Sequence, residues 1–178
     1  MTAEPISIGH RSPVRHSEKN GTALVDLAPF GMPGFFEHLV LAQSSPNAFE
    51  VRCIPFCAYG FSLGDEVALN SEMFVERVVS RKGNRTLRAL LVPSMEDDAP
   101  AETFRAEVDR RASALGLLYE WNGWGNVAID VPAGTSDSEI AAVIEFIGGY
   151  VDRGLAFWEW SETLPFEPPV SPWPWPLV

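Results

Sequence analysis

The chain contains one thiol and imidazole pair that could carry out nucleophilic chemistry. Cys57 and His38 fall in or beside neighbouring β-like stretches, so adjacent strands could bring them together. A cysteine attacks as its thiolate and needs a base within hydrogen-bonding distance. The competing interpretation, which we favour, places Cys57 in the core and His38 on a strand surface. We therefore assign no catalytic residue and favour a non-enzymatic function.

The histidines and cysteines also supply the side chains from which zinc sites are built. The candidates are His10, His16, His38, Cys53 and Cys57. Their spacing differs from that of a zinc finger, and two of the histidines lie near the polar N-terminus. We expect no metal and no cofactor, and we expect both cysteines to be buried thiols of a reducing compartment.

The carboxylates offer ligand-binding or acid–base chemistry only where they can be paired. Asp65 and Glu66 are neighbours in a β-like stretch, so they point to opposite faces of a sheet and cannot act together. Asp65 follows Gly64, and we expect its carboxylate to accept backbone hydrogen bonds and fix a turn. Asp130 is expected opposite Arg88 on an adjacent strand, where the two form either a ligand clamp or an ordinary ion pair.

Residues 22–85 are predicted to form a small all-β subdomain. Short β-like stretches alternate there with turn residues at a spacing of about 8–12 residues, and no helical periodicity is present. This pattern predicts a small, partly open β-barrel or a strongly bent sheet. The predicted strands are Ala23–Leu27, Glu37–Leu41, Ala48–Ile54, Asp65–Leu69 and Met73–Ser80.

Residues 86–162 follow a different pattern, with the order β-α-β-β-α-β. An amphipathic stretch from Glu102 to Leu115 predicts the first helix, and a capping box from Ser136 to Glu139 predicts the start of the second. This order predicts a ferredoxin-like α+β domain, in which both helices cover one face of an antiparallel sheet. The predicted strands are Thr86–Val92, Leu117–Trp121, Asn126–Val131 and Leu155–Trp160.

Alternation within these strands indicates which side chains face the helices. The alternate apolar residues of strand 126–131 are expected to pack against the helices, which sends Asp130 to the opposite, helix-free face. We expect Arg88, Trp158 and Trp160 on that helix-free face as well. The face would then be aromatic and partly charged.

All six tryptophans lie after residue 120, and they define the candidate binding surface. Four belong to the predicted sheet region, and two lie in a tail, residues 163–178, that contains six prolines. Such a segment is extended and cannot form a central strand, so it either covers the aromatic face or acts as a docking peptide. The candidate binding residues are Trp121, Trp124, Asp130, Trp158, Trp160, Trp173 and Trp175.

The formal net charge of −11 is concentrated in the second half of the chain. Residues 1–95 carry nine acidic and nine basic residues, whereas residues 96–178 carry fifteen acidic and four basic ones. Such a field repels nucleic acid and attracts a basic protein, although it also serves solubility alone. The polar arm, residues 1–21, lacks the apolar core of a signal peptide, and no apolar run could span a bilayer, so we expect a cytoplasmic protein without a membrane segment.

Four motifs in the centre of the chain carry a resemblance to a known family. They are Ile54-Pro-Phe with Gly60, Gly64-Asp65 and Val67; Val78-Val79 with Gly83 and Thr86-Leu87-Arg88; Leu115-Gly116 with Glu120; and Ala128-Ile129-Asp130-Val131-Pro132. Together they resemble the bacterial family known as domain of unknown function 4265, over about residues 35–160. The family label implies no activity, so it supplies no catalytic residues.

Two classes of function remain open. The first is a non-catalytic protein-interaction module, and its sharpest form is an immunity or antitoxin-like protein that covers a basic toxin. The second is a small-molecule-binding protein or an enzyme that uses the aromatic sheet face or the cleft between the two halves. Homodimerisation through the tryptophan-bearing face is a third hypothesis, and it would need no ligand.

Overall fold

The computed structural model describes residues 5–92, 99–123 and 125–168, and in these ranges it shows an α+β protein with two β-sheets and two α-helices. The strands of the first sheet are β1 (Ile6–Gly9), β2 (Gly21–Asp26), β3 (Phe35–Ser45), β4 (Ala48–Val51), β5 (Glu66–Leu69) and β6 (Val75–Ser80). The second half follows as β7 (Arg85–Leu91), α1 (Ala99–Ala114), β8 (Tyr119–Asn122), β9 (Asn126–Val131), α2 (Ala141–Val151) and β10 (Ala156–Trp160). Neither helix in these ranges has the length and apolar character needed to cross a membrane.

The first sheet bends around its long strand β3. One edge of β3 pairs antiparallel with β2, and the other edge pairs first with β1, in parallel, and then antiparallel with β4. β5 and β6 continue the sheet beyond β4. A single parallel bridge between Leu24 and Phe74 brings β2 close to the start of β6. The sheet therefore curls towards itself but is not closed.

The five strands expected between residues 22 and 85 are all present, with shifts at their ends. The largest shift is in β3, which extends to Ser45 rather than stopping at Leu41. Strand β1 was not expected, because four residues of a polar arm carry too little pattern. It forms because residues 35–38 of β3 offer it a parallel partner.

The turn between β4 and β5 is fixed by Asp65 as expected. Its Oδ2 accepts the backbone N–H of Ser62 at 2.9 Å, and its Oδ1 accepts that of Lys82 at 2.6 Å. Gly64 precedes it with φ of 87°, a left-handed conformation that glycine adopts without steric cost. The carboxylate thus ties the turn to the chain that follows β6.

The second sheet has the strand order β10-β7-β9-β8, and all its neighbours are antiparallel. Both helices cover one face, and the alternation expected in β9 is confirmed. The core on this side includes Phe104 and Val108 of α1, Val143 and Ile147 of α2, and Val127, Ile129 and Val131 of β9. The second helix begins at Ala141, after its expected start, because residues 137–140 form turns.

The two halves meet at the helix-free face of the second sheet. Residues 52–65, which connect β4 to β5 and are called the junction segment below, lie against this face. Ile54, Phe56 and Leu63 pack there around Ala128 of β9. Three charged residues of the same face are buried: Arg88, Glu120 and Asp130.

Candidate ligand-binding cleft

Much of the junction segment lacks sheet partners, so charged side chains satisfy its buried backbone. Glu37 on β3 accepts the backbone N–H groups of residues 56, 57 and 58 at 2.6, 2.9 and 2.8 Å. From the opposite side, Arg88 Nη1 on β7 donates to the carbonyls of Phe56 and Ala58 at 3.0 and 3.1 Å. An unpaired buried backbone group costs about 1–3 kcal/mol, so these bonds hold an irregular segment at the centre of the molecule.

His10 joins the two sheets through two buried glutamates, and we call His10, Glu37 and Glu120 the bridging cluster. The His10 Nδ1 atom lies 2.7 Å from Glu120 Oε2, and its Nε2 atom lies 3.1 Å from Glu37 Oε1. The imidazole stacks on Phe56 with ring centroids 4.6 Å apart. Glu120 also accepts the backbone N–H of Ile54 at 2.9 Å. The cluster thus connects the arm, both sheets and the junction segment.

The bridging cluster keeps its imidazole charged. Burial alone would lower the pKa of His10, but contacts with Cys53 and the two glutamates raise that pKa to about 12. Burial opposes ionisation of Glu37 as well, yet His10 and the backbone donors hold the pKa of this carboxyl below its ordinary value. Both ring nitrogens are engaged, so the cluster is a structural ion network rather than a free acid or base.

A cleft of about 430 Å³ opens between the rim of the first sheet, the junction segment and strands β7 and β10. This volume lies within the range of about 300–1,000 Å³ that is common for small-molecule sites. The apolar part of the wall consists mainly of Phe30, Met32, Phe56, Leu90, Phe157 and Trp158. The polar groups are Cys57, Tyr59, Arg88, Asn126 and Glu159.

Arg88 is the buried charge of the cleft. Its Nη1 atom is engaged by the two junction carbonyls, and its guanidinium lies 4.2 Å above the Tyr59 ring. Nη2 lies 2.9 Å from Glu159 Oε1, an ion pair without hydrogen-bond alignment, and Nε has no hydrogen-bond partner in the part of the chain that the structure describes. The Nε–Nη2 edge, which can bind a carboxylate through two parallel bonds, is therefore unsatisfied.

Glu159 stands at the rim of the cleft between Arg88 and Tyr59. The Tyr59 hydroxyl donates to its two carboxylate oxygens at 2.8 and 2.7 Å. Burial of the phenol, together with the adjacent Glu159 carboxylate, raises the pKa of Tyr59 to about 12. The Glu159 side chain is 41% exposed, so it can leave this position without disturbing the core.

Cys57 lines the cleft but is a poor nucleophile. Burial and the nearby Glu37 carboxylate raise the pKa of its thiol to about 12, so it is protonated at neutral pH. His38 hydrogen-bonds to the Ser7 hydroxyl at 3.2 Å, which gives its imidazole a partner other than the thiol. Cys53 and Cys57 are both free thiols. Cys53 is fully buried as expected, whereas Cys57 is only partly buried because it lines the cleft.

Two tryptophans expected on the helix-free face lie on the helix side. Trp158 pairs across the sheet with Ala89, a core residue beneath the helices, and Trp160 packs against the same core. Phe157 and Glu159 occupy the helix-free face instead, although Trp158 still contributes to the cleft wall. The prediction therefore assigned the two faces of β10 the wrong way round.

Trp121 also faces the helices, and its indole N–H donates to a carboxylate of α1 at 2.7 Å. It is thus on the opposite side of the sheet from Asp130. Trp124, Trp173 and Trp175 lie outside the described residues. The four described candidates do not form one surface.

Asp130 lies on the helix-free face as expected, but it is not opposite Arg88. Its cross-strand partner is Thr86, and its two carboxylate oxygens accept from the Asn84 Nδ2 atom at 2.9 and 3.0 Å. Burial raises the pKa of Asp130 to about 6. The expected pair of Asp130 with Arg88 was wrong, because Arg88 faces Glu159 on the other neighbouring strand.

Several residues that organise the site were missed in the sequence. The sequence did indicate that Glu37 and Glu120 are paired in the interior. Each interrupts an apolar β-like stretch, where an unpaired carboxylate would be costly. His10 and Tyr59 offered no such signal, because their partners are distant in the chain. Among residues 5–92, 99–123 and 125–168, no three histidine, cysteine or acidic side chains are arranged to hold a metal ion.

The fold and the cleft define a two-sheet α+β protein whose halves are joined by a buried ion network. The chain belongs to the family described as Domain of unknown function (DUF4265), which matches residues 37–152. The matched part includes Glu37, Arg88 and Glu120, whereas His10 and Glu159 lie outside it.

One solved structure, a hypothetical protein from Neisseria gonorrhoeae, is similar in fold. It has a TM-score of 0.57 and 15% sequence identity, and the similarity covers 83% of this chain and 97% of that chain. At this identity the likeness concerns the fold alone. No curated protein matches the chain.

Proposed function

We propose that the protein binds a small molecule in the cleft between its two halves. The observation that carries this proposal is the buried guanidinium of Arg88, a residue that lines the cleft; its Nε and Nη2 atoms are covered from solvent and have no hydrogen-bond partner in the described ranges. Buried donors without a hydrogen bond are costly even beside a counter-ion, and such groups mark candidate functional sites.

The composition of the wall supports the same proposal. Ligand sites combine a mainly apolar lining with a few convergent polar groups that orient the ligand. Here the polar groups Tyr59, Arg88 and Glu159 converge within hydrogen-bonding or stacking distance of one another. The protonated Cys57 thiol favours binding over nucleophilic catalysis at this position.

A cleft-filling substitution tests the proposal. Leu90 is 45% exposed and lines the cleft, so Leu90→Trp is expected to occupy the ligand volume. Leu118 is 41% exposed and is not part of the cleft wall, which makes Leu118→Trp the matched control. A metabolite library would be screened by ligand-observed NMR against the three proteins.

We expect the library to contain compounds that bind the parent protein and Leu118→Trp but do not bind Leu90→Trp. A library without a single binder, or binders that Leu90→Trp retains at full affinity, would overturn the proposal. Circular dichroism of each variant would confirm that the fold is intact.

A protein-interaction module with a basic partner, such as an immunity protein, is the second candidate. Phe157 is 67% exposed and pairs across the sheet with the exposed Leu90, so an apolar patch borders the cleft. Phe157 belongs to residues 96–178, which carry the acidic excess of the chain. A partner held by charge would bind less tightly as salt is raised. Tight binding that is insensitive to salt would contradict this candidate.

We also propose finer descriptions of the fold and the compartment. The bridge between Leu24 and Phe74 supports a partly open barrel for the first sheet. The order β10-β7-β9-β8 with both helices on one face supports a ferredoxin-like domain for the second half. The two free thiols support a reducing cytoplasm.

A further inference from the structure

We propose that the ligand of the cleft is a small monocarboxylate with an apolar body, and that its carboxylate binds the Nε–Nη2 edge of Arg88 by displacing Glu159. This inference rests on the proposed function and names the chemical class of the ligand. It assigns Glu159 the role of an internal competitor that holds the cation when the cleft is empty.

The geometry of Arg88 selects a planar anion. Nη1 is committed to the carbonyls of Phe56 and Ala58, so the guanidinium is fixed in place by the junction segment. The remaining Nε and Nη2 donors lie side by side, and a carboxylate matches them through two parallel hydrogen bonds. Both atoms are buried and neither has a hydrogen-bond partner among the described residues, although Nη2 is ion-paired with Glu159.

The position of Glu159 shows where such an anion would lie. Its Oε1 atom is 2.9 Å from Nη2, close enough to balance the charge but without hydrogen-bond alignment. A guest that displaces Glu159 must carry a negative charge, because a neutral group would leave a buried cation uncompensated. The Tyr59 hydroxyl, which now donates to Glu159, would be released as a further donor to the guest.

The rest of the wall selects an apolar body. Phe30, Met32 and Leu90 surround the polar centre with hydrocarbon and aromatic surface, and Phe157 adds a largely exposed ring at the rim. These groups stabilise a bound alkyl or phenyl group by about 25 cal/mol per Å² of apolar surface removed from water. A strongly hydrated anion without an apolar body, such as inorganic phosphate, gains nothing from them.

The test is isothermal titration calorimetry of the full chain with matched acids and amides. The probes are hexanoate and benzoate, with hexanamide and benzamide as neutral counterparts and inorganic phosphate as a compact anion. The main variant is Glu159→Gln, which removes the competing charge and keeps the size of the side chain. Glu167→Gln, at an exposed acidic position outside the cleft wall, is the matched control.

We expect the acids to bind more tightly than their amides, and Glu159→Gln to raise acid affinity about tenfold while amide affinity stays unchanged. Glu167→Gln should leave both affinities unchanged. Arg88→Lys, which keeps the charge but lacks the two-donor edge, should lose most of the acid affinity. Should this variant fail to fold, the comparison of Glu159→Gln with Glu167→Gln still decides the matter.

Three results would overturn the inference. They are amides that bind as tightly as acids, acid affinity unchanged in Glu159→Gln, and phosphate that binds as tightly as hexanoate. If any of these results is obtained but Leu90→Trp abolishes binding, the cleft remains a ligand site and only the identity of the ligand is overturned. Binding that survives in Leu90→Trp would instead remove the proposed function and this inference together.

Discussion

At the scale of single residues, His10 links the N-terminal arm to a buried glutamate of each sheet. It lies between two buried carboxyl groups whose remaining oxygens hold the junction segment, so both carboxyl groups share the single positive charge of the imidazole. Removing one member of a buried ion pair costs about 3–5 kcal/mol, because the partners are left uncompensated. A residue of the N-terminal arm therefore governs the stability of the centre.

The pKa of His10 predicts how stability depends on pH. In the unfolded chain His10 titrates near 6.5, whereas in the folded protein its pKa is raised to about 12. Between these values the folded state binds the extra proton, so the stability from His10 is complete below pH 6.5 and falls as pH rises. The slope is at most about 1.4 kcal/mol per pH unit.

Urea unfolding at several pH values between 6.5 and about 8 would measure this slope, because the thiols and the Tyr59 phenol of the unfolded chain titrate above this range. We expect His10→Gln to be less stable at neutral pH and to lose most of the decline with rising pH. His16→Gln, at an exposed position on the same arm, should keep both the stability and the decline. Equal slopes in His10→Gln and the parent would show that His10 is not charged in the folded state. The pH range avoids the titration of Glu37, whose stabilising effect is lost as pH falls below 4.5.

At the scale of elements, the sequence predicts strands well where polar and apolar residues alternate. β9 is such a strand, and both its bounds and its buried face were predicted correctly. β10 was misoriented because Phe157 and Trp158 are both aromatic, so its alternation does not distinguish the two faces. Cross-strand pairing decides instead, since Glu159 lies opposite Arg88 and Phe157 opposite Leu90. The candidate site depends on this pairing, and so it could not be predicted from the strand alone.

The junction segment places backbone against backbone at Gly60. Its φ is 79°, and a Cβ atom there would overlap the backbone of Phe166, whose ring packs against Phe61. Gly123 in the hairpin between β8 and β9 also has a positive φ, 62°, but a Cβ atom there would meet open space. A substitution at either glycine therefore carries the cost of a left-handed conformation, but only a substitution at Gly60 also creates a steric clash.

This difference gives a prediction for alanine substitutions at the two positions. Gly123→Ala should cost about 1–2 kcal/mol of unfolding free energy, the cost of a left-handed conformation for an L-residue. Gly60→Ala should cost more than about 4 kcal/mol, because the chain at Phe166 must also move away. Chemical denaturation of both variants would measure the two values. Similar losses at the two sites would mean that Phe166 does not pack against Gly60.

At the scale of the whole molecule, the two sheets are expected to unfold together. Each has its own apolar core, which includes Leu39 and Val67 in the first sheet and Phe104 and Ile129 in the second half. They share the junction segment and the bridging cluster, and the cleft exists only while the halves are in contact. Because the junction segment and the bridging cluster are buried against both halves, we expect the molecule to unfold in a single transition.

The tryptophans provide a test of this cooperativity. All six lie after residue 120, so indole fluorescence reports mainly the unfolding of the second half. Leu39 is fully buried in the first core, and Leu39→Ala should lower the free energy of unfolding by about 2–5 kcal/mol. Because the halves are coupled, the fluorescence midpoint in urea should fall together with the midpoint from far-ultraviolet circular dichroism.

Leu118→Ala, at an exposed position of the second half, should shift neither midpoint by more than a small amount. A fluorescence midpoint that stays fixed while the circular dichroism transition splits would mean that the second half folds alone, and the cleft between the halves would then form only after docking.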